Sequence, residues 1–214
     1  MLGELASSLV LVALVGAALA LYRAFDRKRP LAASLVERPG GRQGISILIL
    51  ICVILSAMVP FVCFIILGPR TPMVPLTPDA EPPSISFAGT LAAYIAVCAA
   101  TGFYEEGAFR VILPGLFARG FAGNGANPSR CPLYATLLAS VLFAALHVAT
   151  PVPADVDALV ALQAVLKFTQ GMLFAFAMAG LLRKTGSFLL ICAAHACYDL
   201  LFFLPWLLDI GGFP

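Results

Sequence analysis

Six ionisable side chains stand inside stretches that are otherwise apolar: Glu105, Glu106, Arg110, His147, His195 and Asp199. A carboxylate or guanidinium at the centre of a bilayer costs about 2.5–3.5 kcal/mol. The four formal charges in the set would cost on the order of 10 kcal/mol if unpaired, which rivals the whole stability of a typical protein. They must pair, neutralise or face a watery cavity. Glu106 and Arg110 are four residues apart, on one helical face, and are the natural ion pair. Glu105 is turned about 100° away and is left for other work. Snorkelling to a span end suits Arg110 better than Glu105, because the end of that span lies about 20 Å further on. His195 and Asp199 are again four apart, and the chain's only two histidines both belong to the set. Taken singly, either histidine reads equally well as a helix–helix hydrogen-bonding residue. Together the groups are the parts of a hydrolytic site: a carboxylate base, an imidazole to position water, and donors for an oxyanion. Zinc at Glu105, His147 and His195 is the alternative, since such groups ligate zinc well, although no His-Glu-x-x-His is present.

The elements that must position these groups are membrane helices. Of 214 residues, 61% are hydrophobic and 11% charged, and the mean hydropathy is +1.00. Soluble domains carry about 25% charged residues. A soluble enzyme, a disordered chain and a nucleic-acid binder are therefore poor readings, and a net charge of +2 implies no polyanionic partner. Six apolar runs are long enough to span: Leu5 to Tyr22, Gln43 to Pro69, Phe87 to Ala118, Pro132 to Ala149, Ala158 to Leu182 and Ser187 to Leu208. Period-2 alternation is absent, so the runs favour helices over a β-barrel. The expectation is an all-α, polytopic bundle of about six transmembrane helices. Residues 1–70 would form two N-terminal spans with a basic loop, and residues 87–208 a four-helix catalytic core.

Ten of the thirteen basic residues fall on alternate connections: Arg23 to Arg42, Arg119 with Arg130, and Arg183 with Lys184. The positive-inside rule makes those connections cytoplasmic and puts both termini outside. The first run has no basic n-region, so a retained span is expected rather than a cleaved signal. The six cysteines show no C-x-x-C spacing and read as packing residues. Pro114 to Pro132 is Gly-rich and reads as a cytoplasmic turn region, and Pro69 to Pro83 as an extended outer loop. As one helix the third run would be about 48 Å long, so it must tilt, break or leave the bilayer, with Pro114 a candidate kink. Gly102, Gly107 and Gly171 permit close helix approach, and Lys167 reads as snorkelling or paired.

Three ordered motifs carry a resemblance. Glu-Glu-x-x-x-Arg (Glu105, Glu106, Arg110), Phe-x-x-x-His (Phe143, His147) and His-x-x-x-Asp (His195, Asp199) resemble the CAAX protease and bacteriocin-processing family, the group of the type II CAAX prenyl endopeptidases, also called ABI proteins. The resemblance runs from about Phe87 to Phe203. Val111 departs from the Gly that many members carry after the Arg, and Asp199 stands where the prenyl endopeptidases have Asn. Asp donates a hydrogen bond only when protonated. The resemblance implies a glutamate-type intramembrane endopeptidase with no catalytic metal or other cofactor. Its catalytic residues would be Glu105, His147, His195 and Asp199, supported by Glu106, Arg110 and Phe143. Its partners would be a membrane-anchored peptide or protein substrate and the lipid bilayer, with no nucleic acid, and its place a prokaryotic cell membrane. The alternative outside enzymology is a membrane binding or immunity protein.

Overall fold

A computed structural model describes residues 9–20, 49–59, 87–148 and 158–210. All the described residues outside short turns are helical. In chain order the helices are α1 (Leu9–Ala20), α2 (Ile49–Val59), α3 (Phe87–Glu106), α4 (Leu113–Gly123), α5 (Cys131–Val148), α6 (Ala158–Thr185) and α7 (Phe188–Ile210). A π-helical segment, Gly107–Ile112, joins α3 to α4. The all-α expectation holds. The basic first connection, the proline-dense outer loop, Asp155 and Asp157 lie outside the described residues.

Among the described residues two helices are long and apolar enough to cross a bilayer: Cys131–Val148, with hydropathy 1.8, and Ala161–Thr185, with hydropathy 1.6. At 1.5 Å per residue the first is about 27 Å long, close to a hydrocarbon core. Leu133, Leu137, Leu138, Val141, Leu142 and Leu146 are all exposed on α5. In water such a face would aggregate; in lipid it is simply solvated. The protein is a membrane protein.

The third apolar run does not continue as one regular helix. Pro114 has no N–H to give the Arg110 carbonyl, and its ring crowds that carbonyl. Widening the preceding turn to π geometry relieves the crowding, which is why the irregular segment ends just before Pro114. The expected turn region from Pro114 to Pro132 is shorter than its glycines imply. α4 occupies it as far as Gly123, because Phe117, Ala118 and Phe121 have an apolar partner in Cys131 and Ala135. The turn that remains is closed by Asn127, whose Oδ1 accepts from the Ser129 amide (3.0 Å) and hydroxyl (2.8 Å).

The chain forms two compact units. The first comprises Met1–Leu31, Thr77–Ile112 and Ser187–Pro214, with α3 packed on α7. Phe103 meets Phe188 edge-on at 5.5 Å, and α1 reaches Gly107 through Val15 and Leu19. The second comprises Ala32–Leu76 and Leu113–Gly186, with α5 packed on α4 and α6. There the Ser56 hydroxyl donates to the Gln170 carbonyl at 3.2 Å, and an Arg183 Nη donates to the Thr136 hydroxyl at 3.0 Å. α6 stops at Gly186, which takes φ +64° and donates its amide to the Leu182 carbonyl at 2.7 Å. The next residue, Ser187, caps α7, its hydroxyl accepting the Leu190 amide at 3.2 Å.

Candidate active site

The first unit gathers five of the candidate residues. α3 ends on Glu105 and Glu106, and the π segment that follows carries Arg110. α7 presents His195 two turns after its cap, and Asp199 one turn later. The centre of the group is the His195 imidazole, 3% exposed. Its Nδ1 lies 2.7 Å from Glu106 Oε1. A carboxylate only accepts, so Nδ1–H donates and the ring is fixed in orientation. The other nitrogen, Nε2, stands 3.6 Å from Glu105 Oε2 and 3.5 Å from Asp199 Oδ2. These are electrostatic separations rather than formed hydrogen bonds, of the kind a water molecule or a reacting group bridges.

Glu106 is fully buried and serves two partners. One oxygen accepts the hydrogen bond from His195 Nδ1–H; the other pairs with Arg110 Nε at 3.3 Å. The i, i+4 pairing expected from spacing is therefore present, with a second bond that spacing does not report. Arg110 is itself 5% exposed, and one of its Nη atoms donates to the Phe109 carbonyl at 3.4 Å. Three carboxylates converge on one imidazole, and the guanidinium offsets the charge of the deepest of them. Such an arrangement can hold an imidazolium facing developing negative charge.

His147 and Phe143 belong to α5, in the second unit. His147 Nδ1 is 2.8 Å from the Phe143 carbonyl, and the two rings stand 4.2 Å apart. A carbonyl cannot donate, so the proton sits on Nδ1 and the basic lone pair on Nε2. Phe143 is buried and stacks on Phe174 at 6.0 Å, which holds the histidine from beneath. Among the described residues no group of three or more His, Cys, Asp or Glu side chains is arranged to hold a metal ion.

Neither residue type nor spacing marks Val15 and Leu19, which abut Gly107 beside Glu106. Two aliphatic residues in an aliphatic helix carry no signal that could have marked them.

Neither the curated proteins nor the solved structures contain a significant match to the chain. A family model does match, over residues 87–201, which takes in all three motifs and more than half of the sequence. That family consists of membrane-embedded proteases, and the ordered carboxylates and histidines of α3, α5 and α7 all lie inside the matched region. The chain belongs to the type II CAAX prenyl endopeptidase Rce1-like family.

Proposed function

We propose that the protein is a metal-free, glutamate-type intramembrane endopeptidase. As the family resemblance implies, Glu105, helped by His147, takes a proton from water. The hydroxide adds to the carbonyl carbon of a peptide bond in a membrane-anchored substrate. The tetrahedral oxyanion is stabilised by the His195 Nε2–H, with Asp199 orienting it or donating when protonated. The C–N bond then breaks, and the leaving amine takes the proton held by Glu105. Glu106 and Arg110 take no part in bond making; they fix the His195 ring that stabilises the oxyanion. The observation that carries this reading is the His195 imidazole, tied at Nδ1 to Glu106 and facing Glu105 and Asp199 through Nε2. The enzyme is multi-pass, sits in a prokaryotic cell membrane and turns both termini outward.

The substrate is a membrane-anchored peptide or protein, and the family's description favours one with a prenylated cysteine near its C-terminus. The test is cleavage of a farnesylated CAAX peptide in liposomes, read by mass spectrometry of the new C-terminus. Glu105→Gln and His147→Ala should each lower kcat by at least about 10²-fold with the helical signal intact. Wild-type turnover in either variant overturns the scheme.

A further inference from the structure

We propose that Gly102 is a positioning residue for the reaction, because its missing Cβ sets the spacing of α3 and α7 and so holds His195 on Glu106. The kinetic consequence rests on the proteolytic reading above; the geometry does not.

A Cβ at Gly102 would lie 2.5 Å from the Cys192 carbonyl oxygen and 3.3 Å from the Ala196 nitrogen. Nonbonded carbon and oxygen do not approach so closely, so any side chain here forces the helices apart by at least about 0.5 Å. The contact and the chemistry are neighbours. Glu106 is one turn beyond Gly102 on the same face, and Cys192 and Ala196 flank His195 on α7. This close approach of the two helices thus lies one turn from the 2.7 Å bond between them. That bond has little slack. Glu106 is fully buried and its second oxygen is held by Arg110, so it cannot follow a retreating imidazole.

Gly107 offers the contrast. A Cβ there would meet Val15 Cγ1 at 2.6 Å and Leu19 Cδ1 at 3.2 Å, both of them side-chain atoms. Trimming Val15 relieves that crowding. Nothing can trim the carbonyl opposite Gly102. Gly180 supplies a packing control in the second unit, where a Cβ would meet Ile49 Cγ1 at 2.9 Å.

The experiment compares the full-length wild type with Gly102→Ala, Gly107→Ala/Val15→Ala and Gly180→Ala. One readout is the imidazole N–H spectrum of 15N-histidine-labelled protein in micelles, which contains two histidines only. Glu106→Gln identifies the His195 Nδ1–H resonance. The other readout is turnover of the farnesylated CAAX peptide. Gly102→Ala should move that resonance upfield or abolish it, and should lower kcat about a hundredfold with KM within about twofold. The two control variants should lose thermal stability at most and keep both readouts. An unmoved resonance in Gly102→Ala overturns the proposal, whatever happens to kcat, and so does a loss confined to KM. If Gly102→Ala yields no folded protein, Cys98→Val widens the same face one turn earlier and must shift the resonance in the same direction. The spectral arm needs no substrate. A wild type that cleaves nothing would therefore sink the proteolytic reading and leave this one decided.

Discussion

Glu106 answers to two partners at once, and its neighbourhood is where single substitutions should do most damage. Removing one member of a buried ion pair leaves the other charged and uncompensated, at about 3–5 kcal/mol. Arg110→Ala is therefore expected to destabilise by that amount in reversible SDS or thermal unfolding. Glu106→Leu combined with Arg110→Met removes both charges and should recover most of the loss, while cleavage stays absent because the His195 ring has lost its acceptor. A double variant less stable than Arg110→Ala alone would contradict this account. The two bonds also show how far spacing can be read. The Arg110 contact follows from four residues of helix, and so does the bond from His147 to the Phe143 carbonyl. The His195 bond spans 89 residues, and no local pattern encodes it. Only the cost of leaving such groups unpaired in lipid announces that a bond must exist.

At the scale of helices, the bilayer makes the sequence unusually legible. An apolar run predicts α5 from Pro132 to Ala149, and the helix is Cys131–Val148. The fifth and sixth runs likewise become α6 and α7 within a few residues. Legibility fails at the middle of the third run. There the outcome depends on how the backbone accommodates Pro114, and hydrophobicity says nothing about that choice. Replacing the proline restores an amide donor to the Arg110 carbonyl. Pro114→Ala should therefore raise thermal stability, by up to about 3 kcal/mol, and lower kcat as the widened turn carrying Arg110 becomes regular. The pair of measurements is a melting curve and a turnover assay on one preparation. A variant no more stable and fully active would separate the π segment from function. α4 is a second failure of reading. Its glycines signal a turn, but burial of Ala118 against Cys131 and Ala135 outweighs their propensity.

Over the whole molecule, two expectations concern surroundings rather than single contacts. The scheme needs no Lewis acid, so turnover should survive strong chelator at full rate, and elemental analysis of the active enzyme should find no stoichiometric zinc. Activity lost to chelator and regained with zinc would replace the glutamate mechanism by a metal one. The proposed topology, with basic residues on alternate connections facing the cytoplasm, puts both ends of the chain on the outer side. A C-terminal alkaline phosphatase fusion should accordingly be active, and a C-terminal fluorescent protein that matures only in the cytoplasm should stay dark. The reverse pattern would invert the orientation of every helix.

The seating of α1 on Gly107 carries a lesson for dissecting the enzyme. The family region starts at residue 87, yet the hollow beside Glu106 is filled by Val15 and Leu19 from far upstream. Cutting the chain down to the shared region would spare every proton-handling group and strip the plug from that hollow. Acyl or detergent tails would then meet Gly107 directly, next to Glu106, where the intact chain sets its own Val15 and Leu19.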